Sequence, residues 1–297
     1  MIKNILKWQG GKSSLLLNII GPRFPLEMKD PASDITFIDA FAGGGSVFLY
    51  VLQNCPGVKR LVINDYNKHL INLYYCIKND FQNLLINLDL IQTQYNSSPN
   101  KEGFYNDVKN QFNYFVTSPS DMAAKLMFLN RVGFNGIYRE NGLGLYNVPW
   151  SKKEIVSIYS MESLSEANRL LNSLDKVVLC CGDFQKTGYF VTQNNTFVYF
   201  DPPYRPISAS SFVNYVNSPF NDDSQIRLKK FCDEISSKYG AKVMISNSYD
   251  PGDDFLIKLY KNYNIEQITA VRSSGGKNAM RGKIQENLIR NYETKNS

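Results

Sequence analysis

A series of short, nearly unbroken apolar runs, each closed by a small or polar residue, limits this chain more than any other feature. The runs fall at Ile35–Ile38, Arg60–Ile63, Lys176–Leu179, Phe197–Phe200, Lys242–Ile245 and Ile265–Val271, and they end at Asp, Asn, Gly or Ser. A half-exposed strand alternates apolar and polar residues, whereas a strand covered on both faces does not. Runs of this kind read as strands of a largely parallel sheet. Helix-like segments lie between several of them, among them Ser46–Gln53, Lys68–Lys78 and Asp222–Lys238. Strand and helix in alternation predict an α/β fold with a doubly wound, mostly parallel sheet. The last two apolar segments, Ile265–Val271 and Ile284–Asn291, flank a Gly- and Lys-rich stretch and read as an antiparallel pair at the sheet edge.

The spacing breaks once. More than a hundred residues separate Asp65 from Lys176, far more than one crossover helix needs. This predicts one domain made of residues 1–75 and 166–297, interrupted by a mainly helical insert at 76–165. The insert shows helix-like stretches at Phe81–Gln94, Gly103–Val116 and Asp121–Arg131, then a loop-like stretch at Phe134–Trp150.

Composition narrows the chemistry. The single histidine, His69, makes a zinc site of the H-E-x-x-H type impossible, and it reads as a helix residue of no special role. The five cysteines form no C-x-x-C pair and two of them are adjacent. They suggest neither a disulfide framework nor a metal site, and they fit a reduced cytosolic setting. No apolar run has the length of a membrane span. A net charge of +6 leans mildly toward polyanionic partners and decides nothing alone.

Three clusters carry chemistry. In Phe37–Phe48 a strand ends at Asp39 and passes through Phe41, Ala42, Gly43 and Gly45 into a helix. Glycines there allow a tight turn and close backbone approach to a ligand. Asp65 closes the next strand, where a ribose hydroxyl pair would be held. The strict G-x-G-x-x-G is absent, because its last position is Phe48. A nucleoside without phosphates suits the loop better than a dinucleotide. In Lys7–Ser14 the triplet Gly11-Lys12-Ser13 invites a phosphate-loop reading, but the glycine required five residues before Gly11 is Leu6. The third cluster is Asp201-Pro202-Pro203-Tyr204 behind the strand Phe197–Phe200. Its prolines lock the backbone, so the Asp201 carboxylate and the Pro202 carbonyl are held at the strand's C-terminal end.

Taken together these motifs resemble the Dam-type (D12 class, alpha-group) DNA adenine-N6 methyltransferases over nearly the whole chain. The resemblance also takes in Asn130–Arg139, Tyr146–Pro149, Gly182–Phe184 and Arg281–Lys283. It implies a Rossmann-like class I methyltransferase core, S-adenosylmethionine as cofactor, and double-stranded DNA as partner. The insert becomes the target reader, and the reaction needs no metal. The resemblance implies a cofactor site of Trp8, Lys12, Asp39, Phe41, Ala42, Gly43 and Gly45, with Asp65 on the ribose. Asp183 and Phe184 would hold the cofactor's adenine, and Asp201 would complete the site. Asp201, Pro202, Pro203 and Tyr204 form the catalytic loop. Asn130, Arg131, Phe134, Asn135, Arg139 and Lys152 would touch DNA. The expected setting is the cytoplasm of a bacterial or virus-infected cell, the expected state a monomer, and restriction-modification a natural role.

The chemistry agrees. The lone pair of adenine's exocyclic nitrogen is delocalised into the ring. Two acceptors, Asp201 and the Pro202 carbonyl, would favour a pyramidal, nucleophilic nitrogen. Tyr204 offers a face to a base flipped from the duplex. In the insert Phe134, Asn135, Tyr138 and Arg139 interleave groups that wedge, pair with adenine and pair with guanine. Phe134 and Tyr138 read equally well as core. In the family's GATC readers a guanine-reading arginine follows the Asn-Val-Pro stretch. Here that stretch is followed by Trp150-Ser151-Lys152-Lys153, and lysine lacks the bidentate fork. The alternative acceptors for the same fold are an amino group on RNA, cytosine N4 or protein glutamine. A binding-only relative and a nucleotide phosphotransferase are the rivals from other classes.

Overall fold

The computed structural model describes residues 5–204, 220–271 and 283–294. A helical turn, α1 (Ser13–Leu15), runs through π and 3-10 turns toward Lys29, and then β1 (Ile35–Asp39), α2 (Ser46–Asn54), β2 (Val58–Asp65) and α3 (Lys68–Asn79) alternate. The insert follows as α4 (Phe81–Ser97), α5 (Lys101–Tyr114), α6 (Pro119–Val132) and the irregular stretch 133–160. Helix α7 (Met161–Leu171) leads to β3 (Lys176–Cys181) and β4 (Thr196–Phe200). The chain ends with α8 (Asp222–Tyr239), β5 (Lys242–Ser248), α9 (Phe255–Leu259), β6 (Asn264–Val271) and β7 (Lys283–Arg290).

The seven strands form one sheet in the order β3-β2-β1-β4-β5-β7-β6. β1 to β5 are parallel, while β7 runs antiparallel to both β5 and β6. This is the doubly wound, Rossmann-like arrangement the apolar runs predict. The expected antiparallel pair is present, with β7 inside and β6 at the edge. Burial explains the order: β7 is buried without a break from Glu286 to Arg290, whereas between Asn264 and Thr269 of β6 Ile268 alone is buried. Continuous burial belongs to a strand flanked on both sides.

Successive strand residues feed opposite faces. Phe37, Leu61, Ile63 and Tyr199 enter one core, and Ile38, Val62, Val198 and Phe200 the other. α2, α3 and α7 cover the first face, and α8 covers the second with Leu228, Phe231, Cys232 and Ile235. The insert has no separate core. Leu84, Leu88, Tyr95, Phe112 and Phe128 join the first core, and α6 packs against α3, α4 and α5. Position 76 lies inside α3 and position 165 inside α7. α5 and α6 start two residues earlier than the apolar pattern suggests, because Asn100 and Ser118 cap them and Pro119 opens α6. No helix among the described residues is long and apolar enough to cross a membrane.

Candidate active site

Strand order reverses between β1 and β4, and ligands of such sheets bind above the C-terminal strand ends at that point. Four adjacent strands each deliver an aspartate there: Asp39 ends β1, Asp65 ends β2, Asp183 follows β3 and Asp201 follows β4.

The glycine loop is built around Asp65. Gly43 (φ 49°) and Gly45 (φ 82°) both take the left-handed conformation that glycine adopts without penalty. The Gly43 N–H donates to Asp65 Oδ2 at 2.8 Å and the Asn67 N–H to Oδ1 at 2.8 Å. The Tyr74 hydroxyl donates to the Gly43 carbonyl. Trp8 lies over the turn so closely that a Cβ on Gly44 would sit 2.7 Å from the Trp8 Cβ. Phe48 is fully buried, edge-on to Tyr74 at 4.9 Å, and leaves no room for a side chain at Gly45. Asn64 ties three strand ends together, donating to the Ala40 carbonyl at 2.9 Å and the Gly182 carbonyl at 3.1 Å.

Asp39 has no exposed surface, and neither carboxylate oxygen has a hydrogen bond of good geometry among the described residues, the Phe41 and Phe48 backbone N–H groups standing near it only as weak donors. Burial, and then the charges of Asp201 and Asp65, push its pKa well above the carboxylate range. Burial also raises Asp65. A buried carboxylate without a well-placed donor is costly, and a ligand bringing N–H groups or positive charge would offset that cost.

One buried cation organises the loop after β4. Lys12 is 1 % exposed. Its ammonium donates to Asp201 Oδ1, the Tyr204 hydroxyl and the Gly10 carbonyl, each at 2.8 Å. The same ammonium stands 4.9 Å from the centre of the Tyr204 ring. Lys12 therefore does not serve as a phosphate-loop lysine, because its protons are spent on the loop after β4. Burial raises the Asp201 pKa to about 6, with Lys12 pulling it down and Glu286 pushing it up. Glu286, on β7, was not legible as a site residue; its 6 % exposure places it in this cluster.

Asp183 and Phe184 behave differently from one another. The Asp183 carboxylate accepts from the Gln185 N–H at 3.0 Å and pairs with Arg227 of α8 at 2.8 Å. Phe184 is buried in the second core, 5.6 Å from Phe41, with the Arg227 guanidinium 4.7 Å from its ring centre. Any adenine contact by Phe184 must come from its backbone or ring edge. These residues suit S-adenosylmethionine: beyond the Lys12–Asp201 and Arg227–Asp183 pairs, Asp39 and Asp65 remain without a cation among the described residues, which fits a ligand with a cationic sulfonium and ammonium, a ribose and an adenine.

The residues expected at DNA divide as well. Arg131, Phe134, Asn135, Arg139 and Lys152 are exposed, Phe134 by half. They lie at the end of α6 and on a hairpin-like stretch held by Gly133–Trp150 and Glu140–Tyr146 bridges. Asn130 is different. It is buried, its Oδ1 accepts the Lys7 N–H at 3.0 Å, and its Nδ2 donates to the Lys7 and Gly136 carbonyls at 2.9 Å each. Its amide holds the hairpin base to the N-terminal segment and is not presented at the surface. Tyr138 is also core, its ring 5.4 Å from Trp8. His69 packs its ring 4.4 Å from Phe112, and burial lowers its pKa to about 4, so it is a neutral helix residue. Arg281 lies outside the described residues.

Comparison with known proteins agrees with this architecture. The sequence profile of the D12 class N6 adenine-specific DNA methyltransferases matches residues 8–274. The chain is 37% identical to the Type II methyltransferase M.MjaIII of Methanocaldococcus jannaschii over 98% of this chain and 99% of that one. It is 34% identical to the Type II methyltransferase M1.LlaDCHI of Lactococcus lactis subsp. cremoris, over 98% and 96% of the two chains. A DNA adenine methylase of Vibrio cholerae is 29% identical over 95% of this chain and 94% of its own. With its motifs in this order around one cleft, the chain belongs to the D12 class of N6 adenine-specific DNA methyltransferases.

Proposed function

We propose that the protein methylates the N6 of an adenine flipped out of double-stranded DNA within a short site, GATC or a relative of it. The observation that carries this reading is the buried Lys12–Asp201–Tyr204 cluster at the end of β4 beside Asp39, which lacks a hydrogen bond of good geometry. Asp201 and the Pro202 carbonyl accept the two amino hydrogens, pyramidalise the nitrogen and hold it for attack. Pro203 fixes the loop and Tyr204 stacks on the base. S-adenosylmethionine supplies the sulfonium methyl. Asp39 and Asp201 face its cationic groups, Asp65 its ribose and Asp183 its adenine, while Trp8, Phe41, Ala42, Gly43 and Gly45 shape its cradle.

The segment between α3 and α7 reads the target. Phe134 fills the gap left by the flipped base, and Asn135, Arg139 and Lys152 reach base edges or phosphates. Arg131 supports the same face, and Asn130 positions the hairpin. The protein acts as a monomer in the cytoplasm, as a restriction-modification methylase would.

The test is expression in a host without adenine methylation, followed by base-resolved sequencing of N6-methyladenine beside an Asp201→Ala control. Methylation at one short motif, absent in the control, is the expected result. A soluble protein that binds S-adenosylmethionine and leaves adenine unmarked refutes the choice of acceptor.

A further inference from the structure

The reaction described above leaves one buried carboxylate unused. Glu286 sits within β7, and its Oε2 is buried with no hydrogen-bond partner among the described residues. Among the described residues the cation paired with it is Lys12, whose Nζ stands 3.9 Å from Oε2, too far for a hydrogen bond. The ammonium has three protons, and Asp201, Tyr204 and Gly10 already take them. One buried cation therefore faces two buried carboxylates and bonds to one, and the group left to hydrogen-bond Glu286 is the neutral Tyr204 hydroxyl. A buried carboxylate without a bonded counter-charge does not favour folding, so its presence calls for another reason.

That reason lies in the change of charge at Asp201, and the argument rests on the proposed adenine-N6 reaction. As the amino nitrogen would gain its bond to the methyl carbon, the carbon–sulfur bond would break with its electron pair going to sulfur, leaving neutral S-adenosylhomocysteine, and one N–H bond would break with its proton passing to an Asp201 oxygen. Asp201 becomes a neutral acid, and the buried Lys12 loses its bonded counter-charge. We propose that Glu286 is a positioning residue of the methyl transfer, receiving a Lys12 hydrogen bond as Asp201 takes the amino proton. The ammonium needs to move by about 1 Å to pass from one carboxylate to the other. Lys12 keeps all three protons and Glu286 stays ionised. The charge lost on Asp201 is the only change in the cluster, and Tyr204 remains anchored throughout.

The groups that face Asp201 are Lys12 from the segment before α1, Glu286 from β7, Asp39 from β1, and Tyr199 and Tyr204 from β4 and its loop. Of these, Glu286 raises the Asp201 pKa and Lys12 lowers it. Removing the Glu286 charge should therefore move the acidic limb of the rate profile to lower pH, which a purely structural residue would not do.

Single-turnover methylation of unmethylated plasmid DNA between about pH 5 and 9 tests this with Glu286→Gln, an isosteric change that removes the charge. The rate should fall about tenfold or more, the acidic limb should move down, and binding of S-adenosylhomocysteine should stay within about twofold. Glu286→Asp should recover part of the rate. An unchanged rate and limb overturns the proposal, as does a rate loss matched by equal loss of S-adenosylhomocysteine binding or of thermal stability. If the wild-type protein leaves adenine unmethylated, the proposed reaction falls and this role falls with it. If wild type and Glu286→Gln methylate alike, only this role falls.

Discussion

Asn130→Ala separates a residue that builds the reading surface from residues that belong to it. Three hydrogen bonds end on the Asn130 amide, at 3.0, 2.9 and 2.9 Å, and they join Lys7 on the N-terminal segment to Gly136 at the hairpin base. Alanine leaves the Lys7 N–H and two carbonyls without that partner. At about 1 kcal/mol for each bond, plus part of the desolvation of the orphaned groups, the cost should be about 2–4 kcal/mol. For a chain of this size that lowers the melting temperature by roughly 5–10 °C. Urea unfolding should show a lower midpoint with an unchanged slope. Arg139→Ala is the comparison. Arg139 is exposed and bonds to Asn147 at 2.8 Å, so its loss should cost under about 0.5 kcal/mol of stability. It should nevertheless weaken specific DNA binding by about 1–3 kcal/mol, if its guanidinium leaves Asn147 for a base. The reasoning is refuted if Asn130→Ala is as stable as wild type and loses DNA affinity as Arg139→Ala does.

The remaining predictions concern the cleft and its rim. Methylation should fall away as pH drops through about 6, the Asp201 value, because an acceptor of amino hydrogens must be ionised. Lys12→Met removes the charge that holds that value down, so the acidic limb should move to higher pH; a limb that stays or moves down contradicts the assignment. Gly45→Ala places a Cβ 2.9 Å from the Phe48 ring at a φ of 82°, which should cost about 1–3 kcal/mol in thermal unfolding and weaken S-adenosylmethionine binding in calorimetry. Unchanged affinity would show that the glycine serves the fold alone. Phe134→Ala should leave stability within about 0.5 kcal/mol. It should also reduce the fluorescence gain of 2-aminopurine placed at the target adenine, and an undiminished gain argues against a wedge.

Much of the fold is legible because burial on both faces writes itself into consecutive residues. β1 and β4 are fully apolar at Phe37, Ile38 and Val198, and no helical period survives in so short a run. What the chain's local pattern hides is order within the sheet. The final hairpin is recognisable from its two apolar segments, yet only pairing of Ile245 with Ile289 shows that β7 enters beside β5. α7 is a different case. Its buried residues Leu164, Ala167, Leu170 and Leu171 recur at three- and four-residue steps behind the Ser160 cap, a helical period, so the helix itself is readable and what the pattern withholds is that this face packs on α2 and α3.

The site follows the same division. Residues whose backbone geometry is part of their work, such as Gly43, Gly45 and the prolines after Asp201, announce themselves by type and neighbours. Residues that act by meeting a partner from far along the chain do not. Asn130 looks like one more polar group in a polar motif, and only its bonds to Lys7, 123 positions away, turn it from a DNA contact into a tether. Arg227, on a helix with many charges, joins the Asp183 end of the cleft only when its guanidinium is found beside both Phe184 and Asp183. Glu286 lies between Gln285 and Asn287 in β7, and nothing local distinguishes it from an edge-strand acid. Its meaning comes from charge balance: Lys12 cannot neutralise Asp39, Asp201 and Glu286 together. A cleft left anionic in this way is tuned to a cationic methyl donor, and within it the position of a single ammonium decides when Asp201 can accept a proton.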